Sequence, residues 1–186
     1  PRWAYACSKA IDEFLGLAWN RDRDLPVMIA RFFNTVGPRQ VGTWGMVLPR
    51  FVKAAISNEP LLVYGTGEQT RCFCDVRDVV EVLPRLLDDG HEFGMVVNVG
   101  RDTAISMSEL AHRVVKVLDS GSPIKTISYE EAYGRSIEDM IHRRPDIGRL
   151  QDEFGFHPRY ELDQTIRDLA ESMLKSSGQS IRGDGG

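Results

Sequence analysis

The stretch VMIARFFNTVGPR, residues 27–39, decides how the fold of this chain is interpreted. It opens with a nearly continuous apolar run over 27–33 and then becomes polar and glycine-containing. A short run of bulky apolar residues bounded by turn residues is typical of a strand in the interior of a parallel sheet. We therefore predict a buried parallel strand, with Asn34 at its carboxyl end, where ligands gather in open α/β sheets.

Helix and strand patterns alternate on both sides of this strand. Apolar residues at helical spacing predict a helix over 3–19, and a glycine-rich loop over 37–45 leads to a helix that ends near residue 57. The sequence Ser106 to Glu109 is a capping box, and Asp75 or Asp78 is expected to cap another helix. The remaining predictions are strands at 61–64, 71–74, 95–99 and 124–129 and helices up to 88 and 118 and near 146–153 and 162–175. This alternation is typical of an α/β fold with a mostly parallel sheet.

The composition narrows the class of protein without naming a function. The 186 residues are 42% hydrophobic and 27% charged, which is normal for a soluble globular domain. A net charge of −4 argues against nucleic acid or a membrane surface as a partner, and no apolar run approaches the roughly 20 residues of a membrane span. Three cysteines are an odd, sparse set that fits the reducing cytoplasm. Cys72 and Cys74 are expected to be buried thiols, and no metal site is predicted.

The first predicted helix carries a tyrosine and a lysine four residues apart, Tyr5 and Lys9. On a helix these positions share one face, about 6 Å apart. An ammonium group near a phenol favours the phenolate and lowers the phenol pKa, so such a tyrosine can act as a general base or acid. Taken alone the Y-x-x-x-K pattern is weak, and two ordinary helix residues are the alternative.

Six ordered segments raise the specificity of this pattern. They follow YACSK at 5–9 and are RFFNTVGPR at 31–39, LPRF at 48–51, VYGTGEQTR at 63–71, VRDV at 76–79, RRPDI at 143–147 and FGFHP at 154–158. Together they resemble the extended short-chain dehydrogenase/reductase family over about residues 3–172. The resemblance is strongest to its nucleotide-sugar epimerases, decarboxylases and dehydratases, among them the UDP-glucose 4-epimerases.

The resemblance implies a fold that is only part of the family's domain. Residues 1–175 would form the C-terminal strands of a Rossmann-like parallel sheet together with a small α/β nucleotide-sugar-binding lobe, and 176–186 a disordered tail. The family's Gly-rich dinucleotide loop, acidic ribose contact and catalytic Ser or Thr precede its Y-x-x-x-K motif. No G-x-G-x-x-G occurs in this sequence, so we expect a fragment or one half of a split enzyme.

Residue roles follow from the same resemblance. Tyr5 would be the catalytic acid/base, with Lys9 binding the nicotinamide ribose of NAD and lowering the Tyr5 pKa. The cofactor side would comprise Tyr5, Lys9, Phe32 and Thr35. The nucleotide-sugar side would comprise Asn34, Leu48, Phe51, Tyr64, Arg71 and Arg143, the two arginines holding the pyrophosphate and the three apolar or aromatic side chains lining the base. Core packing is the alternative for Phe32, Phe33, Leu48, Phe51 and Tyr64, a turn role for Asn34, and surface exposure for either arginine.

The neighbours of these residues leave further alternatives. Arg144 competes with Arg143 for the inward position. Asp78 is expected to be a helix cap rather than a ligand, and Gly65 and Gly67 are expected to form a turn. Met46 stands where decarboxylases of the family tend to carry an arginine, which favours a neutral sugar.

The predicted function is that of an NAD-dependent nucleotide-sugar epimerase of the UDP-glucose 4-epimerase type, working through a transient 4-keto sugar. The alternatives are a decarboxylase or 4,6-dehydratase, or an inactive piece that binds a nucleotide sugar. The family dimerises through the Y-x-x-x-K helix and the helix before it. Since that earlier helix is not in this sequence, we do not expect the chain to form the homodimer, although Ala6, Ala10, Phe14 and Leu17 would face it.

Overall fold

A computed structural model describes residues 2–40, 46–88, 90–134, 140–176 and 178. The helices among them are α1 (Arg2–Arg23), α2 (Val47–Ile56), α3 (Val76–Leu86), α4 (Met107–Val117), α5 (Tyr129–Tyr133), α6 (Gly148–Phe154) and α7 (Leu162–Ser176). The strands are β1 (Met28–Phe32), β2 (Thr35–Val36), β3 (Leu61–Tyr64), β4 (Thr70–Cys72), β5 (Cys74–Asp75), β6 (Met95–Val99), β7 (Ala104–Ser106), β8 (Ile124–Ile127) and β9 (His142–Arg143). The predicted alternation of strands and helices is confirmed.

Strand pairing in the described residues is mostly parallel, as predicted. The parallel pairs are β1 with β6, β2 with β5, β3 with β8, and β4 with β9. The pair formed by β4 and β7 is antiparallel. Because β4 has a partner on each side, it lies at the centre of a three-stranded sheet in the order β7-β4-β9.

Two hydrophobic clusters form the core. The larger one joins α2, β3, α4 and α7, and the inward face of α2 presents Leu48, Phe51, Val52 and Ala55 at helical spacing. The smaller one joins α3, β6, α6 and the segment after it. Each cluster lies beneath strands whose ends carry the predicted site residues, so the core fixes the position of those ends.

Side-chain caps define the starts of three described helices, α3, α4 and α5, the last through Ser128 Oγ, which accepts from the Glu131 NH at 3.0 Å. At α4, Ser106 Oγ accepts a hydrogen bond from the Glu109 backbone NH at 3.1 Å, and the Ser106 NH donates to Glu109 Oε2 at 3.0 Å, which confirms the capping box. At α3 the cap is Asp75, which accepts from the Arg77 NH at 2.8 Å. Asp78 is therefore not the cap. Its buried carboxylate instead accepts from the backbone NH groups of Arg159 and Tyr160.

Three strand predictions need correction. The strand predicted over 124–129 ends at Ile127, because Ser128 caps α5 by accepting a hydrogen bond from the Glu131 NH. The strand predicted over 71–74 is two strands, since Cys72 pairs with Ala104 while Cys74 pairs with Thr35 in another sheet. The strand at 27–33 is parallel but is not buried along its length, and Phe32 is 48% exposed. The reason is that β1 pairs only with β6 within the described part of the chain, and α1 covers one face of it incompletely.

Some predictions lie wholly or partly outside the described residues. They are the end of the glycine-rich loop at 41–45 and most of the tail at 176–186. Ser176 itself ends α7, so the last helix runs one residue further than predicted. None of the described helices combines the length and the apolar character that crossing a membrane requires.

Candidate functional site

Arg71 and Arg143 lie side by side on neighbouring strands. In the parallel register of β4 and β9, Arg71 is the partner of Arg143 and Thr70 is the partner of His142. The side chain of Arg71 donates from Nη1 to the Thr70 carbonyl at 2.7 Å. Register partners on neighbouring parallel strands extend their side chains from the same face of the sheet, so both guanidinium groups can reach one ligand. This arrangement suits a diphosphate, whose oxygens match guanidinium geometry.

The end of β1 contacts the residues around these two arginines. Asn34 has a positive φ of 34°, which turns the chain out of the strand. Its Nδ2 donates to the Cys72 carbonyl at 2.8 Å, and its own carbonyl accepts from the Cys74 NH at 3.2 Å. The residue before it, Phe33, carries the Arg143 guanidinium 5.2 Å from its ring centroid. Asn34 therefore connects the end of β1 to Cys72, the residue that follows Arg71 in β4.

Tyr64 ends β3 and begins the turn that leads to β4. Gly65 and Gly67 have φ of 69° and 78°, so both favour glycine, and the predicted turn is confirmed. A Cβ on Gly65 would lie 2.6 Å from the Tyr129 ring, and one on Gly67 would lie 2.2 Å from Ser108 Oγ. Gln69 Nε2 donates to the Tyr64 carbonyl at 2.7 Å, which ties the end of β3 to the start of β4. The turn thus links Tyr64 to Arg71.

Leu48 and Phe51 belong to the packing of the core. Both side chains are 0% exposed, because the inward face of α2 packs on α4 and α7. Only their backbone groups are available to a ligand in this conformation. Of the three residues predicted at the base, Tyr64 alone has a partly exposed side chain.

Tyr5 and Lys9 lie together on the outer face of α1. Lys9 Nζ is 5.9 Å from the centroid of the Tyr5 ring and donates to Asp12 Oδ2 at 2.9 Å. The hydrogen bond to the Asp12 carboxylate, with its charge, raises the pKa of the Lys9 ammonium, so Lys9 stays cationic. Tyr5 is 71% exposed. The pair is therefore open to a ligand.

The second half of α1 fastens it to β1. Arg31 donates to the Glu13 carboxylate through Nε at 2.7 Å and through Nη2 at 2.5 Å. Gly16 lies against Val27 and Ile29, where a Cβ would approach the Val27 side chain to 3.3 Å. The bidentate ion pair and this close approach set the direction of α1 relative to the strand that ends at Asn34.

Two further predicted residues lie near the end of β1. Phe32 is exposed there, and Thr35 is half-buried in β2, where it pairs with Cys74. The Thr35 hydroxyl oxygen is buried and has no hydrogen-bond partner in the described part of the chain. A buried hydroxyl without a partner is costly, so this oxygen is suited to a polar group of a ligand.

The prediction that Cys72 and Cys74 are buried thiols is confirmed. Cys72 and Cys74 are buried thiols, and burial raises the pKa of the Cys74 thiol to about 12. A thiol with so high a pKa is a poor nucleophile and a poor metal ligand at neutral pH. Among the described residues, no three His, Cys, Asp or Glu side chains gather in a way that suits a metal ion.

Comparison with known proteins gives the family. A family model described as GDP-mannose 4,6 dehydratase matches residues 1–169. The chain belongs to this family. It is also 36% identical over 171 residues to a UDP-N-acetyl-alpha-D-glucosaminuronate decarboxylase from Bacillus cytotoxicus, a match that covers 91% of this chain and 53% of the relative. The resemblance to nucleotide-sugar enzymes of the extended short-chain dehydrogenase/reductase type is confirmed.

Two solved structures share the fold. A UDP-N-acetylglucosamine 4-epimerase from Methanobrevibacter ruminantium M1 is 25% identical with a TM-score of 0.81, over 92% of this chain and 54% of that one. A dTDP-glucose 4,6-dehydratase from Bacillus anthracis, solved with NAD, is 22% identical with a TM-score of 0.80, over 94% of this chain and 53% of that one. The chain thus spans about half the length of the decarboxylase and of these two solved structures.

The structure adds residues that the sequence pattern did not single out. Arg50 places its guanidinium carbon 3.8 Å from the centroid of the Tyr64 ring. Tyr133 meets Tyr64 edge to face at a centroid distance of 5.4 Å and stacks on Tyr129 at 6.4 Å. Arg50 lies inside the family segment LPRF, so the sequence contained a signal for it. The two tyrosines of α5 have no such signal, because it is the parallel pairing of β3 with β8 that brings them to Tyr64.

Proposed function

We propose that this chain forms the nucleotide-sugar-binding part of an NAD-dependent nucleotide-sugar epimerase. The observation that carries the proposal is the register pairing of Arg71 with Arg143 beside Asn34 and Phe33. In this proposal the two guanidinium groups bind the diphosphate and Tyr64 lies at the base. Arg143 rather than Arg144 takes the inner position, since Arg144 is exposed and paired with Asp102.

The proposed acid/base is Tyr5. A proton on the sugar C4 hydroxyl would pass to the Tyr5 oxygen, and the Lys9 cation would stabilise the negative charge that forms there. NAD, when bound, supplies the hydride acceptor at the same carbon and returns the hydride. The residues that fit it are the exposed Tyr5, Lys9 and Phe32 and the buried hydroxyl of Thr35, for which the described residues provide no hydrogen-bond partner.

Epimerisation is proposed because Met46 provides no cation for a sugar carboxylate at the position where decarboxylases of the family tend to carry arginine. The 25% identical epimerase supports the same choice. A decarboxylase is the second candidate, favoured by the 36% identical relative. A third is a nucleotide-sugar-binding piece without activity of its own, because the sequence holds no G-x-G-x-x-G loop.

The experiment uses the full-length protein with NAD and three substrates: UDP-glucose, UDP-N-acetylglucosamine and UDP-glucuronic acid. Formation of the C4 epimer of a neutral sugar supports the epimerase. Release of carbon dioxide from UDP-glucuronic acid with no epimer identifies a decarboxylase instead. Tyr5→Phe should lower turnover roughly 100-fold or more and leave the dissociation constant of UDP unchanged. Unchanged turnover in Tyr5→Phe would refute the assignment of the acid/base.

A further inference from the structure

Arg50 is held against the ring of Tyr64. Its guanidinium carbon is 3.8 Å from the ring centroid, which is the distance of a stacked cation–aromatic pair. One nitrogen, Nη2, donates to the Leu62 carbonyl at 3.1 Å. The hydrogen bond fixes the guanidinium to β3, and the stacking fixes the plane of Tyr64 at the end of the same strand.

An arginine is a costly residue to place at this position for packing alone. Its Nε is buried, and in the described part of the chain that nitrogen has no hydrogen-bond partner. A buried donor without an acceptor destabilises a fold, and an apolar side chain of similar length would avoid that cost. The neighbours of Arg50 along α2 are the fully buried Phe51 and Leu48. The Arg50 guanidinium carbon is 5.5 Å from the Phe51 ring centroid and 3.8 Å from that of Tyr64, so its closer aromatic contact is with Tyr64.

Tyr64 is also restrained from two other directions. The ring of Tyr133 meets it edge to face at an interplanar angle of 82°. Gln69 holds the Tyr64 carbonyl and also lies 3.3 Å from the Tyr129 hydroxyl. Removal of Arg50 would free one face of the Tyr64 ring and let the ring turn. The contacts with Tyr133 and Gln69 would remain, so β3 would stay folded.

We propose that Arg50 is a positioning residue for nucleobase recognition, acting through Tyr64. This inference rests on the proposed function, in which Tyr64 lies at the base and Arg71 and Arg143 bind the diphosphate. Arg50 sets the plane of the Tyr64 ring before the nucleotide arrives, which lowers the ordering cost of binding. Its contribution is therefore confined to ligands that carry a base.

The test compares UDP with inorganic pyrophosphate as ligands of the full-length protein. Arg50→Met should raise the UDP dissociation constant about two- to tenfold, the range of the ordering cost of one side chain. The pyrophosphate constant should stay within about twofold, because the ligand has no base. Arg71→Met should weaken both ligands. Equal weakening of UDP and pyrophosphate by Arg50→Met would overturn the inference.

Two further variants separate positioning from folding. Arg50→Lys keeps the charge but cannot stack a plane on the ring while donating to Leu62, so it should lose UDP affinity at an unchanged melting temperature. In a Tyr64→Leu background, Arg50→Met should have no additional effect on UDP binding. Additive losses would mean that Arg50 does not act through Tyr64. If the unaltered protein binds neither ligand, the proposed function fails first and this inference fails with it.

Discussion

The helix α1 and the strand pair β4–β9 carry the two halves of the proposed chemistry, and they are held very differently. Arg71 and Arg143 are register partners on β4 and β9, and Asn34 donates a hydrogen bond to the carbonyl of the neighbouring Cys72. On α1 the large apolar side chains point outward, and Phe14 is 75% exposed. The described contacts of α1 lie in its second half, at Glu13 and Gly16. Binding and acid/base chemistry are therefore separable, and mutations in the two regions should have unequal effects.

The largest effect on stability is expected from Phe51→Ala, in the core beneath the strands proposed to bind the nucleotide. Phe51 is fully buried in the larger cluster. Loss of its ring removes buried area and leaves a cavity, which should lower the free energy of unfolding by about 3–5 kcal/mol. Chemical denaturation followed by circular dichroism measures this. A loss below about 1 kcal/mol would mean that the cluster does not hold α2.

The next effect is expected at the corner where β5 meets α3. Asp75 is buried and accepts hydrogen bonds from Arg77 Nη2 at 2.8 Å and Thr165 Oγ1 at 2.7 Å. Arg77 also pairs with Asp168 at 2.7 Å and stacks on Tyr160. Asp75→Asn should therefore cost about 2–3 kcal/mol of unfolding free energy at pH 7, because it weakens charge-assisted hydrogen bonds in a buried site.

Acid should reduce the difference in unfolding free energy between the unaltered protein and Asp75→Asn. Burial on its own raises the pKa of Asp75, but hydrogen bonds from Arg77 and Thr165 outweigh it and hold that pKa below its usual value. The carboxylate thus stabilises the fold above the unfolded-state pKa of about 3.9, and this contribution disappears as the pH falls toward the lower folded-state pKa. Unfolding curves at pH 7 and pH 3 measure the change. The exposed Asp12→Asn is the control, and a gap that widens in acid would contradict the argument.

The arginine pair offers a test of binding with a matched control in the next residue. Arg143→Met should weaken UDP about tenfold or more, since a hydrogen bond between charged partners contributes about 1.5–3 kcal/mol. Arg144→Met should change UDP binding less than about twofold, because Arg144 is exposed and pairs with Asp102 at 3.0 Å. Isothermal titration of both variants decides the matter. A larger loss in Arg144→Met would exchange the two roles.

Local patterns were enough to predict the long elements. The helices α2, α4 and α7 and the strands β3 and β6 follow from apolar spacing and from the Ser106–Glu109 capping box, which act over a few residues. The short strands β2, β7 and β9 were missed. They have two or three residues each and exist because distant segments pair with them, as β9 does with β4.

The sequence proposes residues for the candidate site but does not give the contacts between them. Motif order pointed to Arg71 and Arg143, while their adjacency depends on the register of β4 and β9. Arg50 and the α5 tyrosines were missed because a cation–aromatic contact between α2 and the end of β3 leaves no periodic trace. The exposure of Phe32 was missed because a continuous apolar run does not reveal how many neighbours a strand has.

The smallest effect on stability is expected on α1. The substitution is again phenylalanine to alanine, the change expected to be most damaging in the core. Phe14→Ala should change the free energy of unfolding by no more than about 0.5 kcal/mol, because the ring is exposed and alanine favours a helix. Denaturation at two protein concentrations tenfold apart measures it. A loss above about 1 kcal/mol that grows with concentration would show that the outer face of α1 is covered by another copy. The contrast between the buried Phe51 and the exposed Phe14 would then be lost, and Tyr5 and Lys9 would lie in an interface rather than on an open helix.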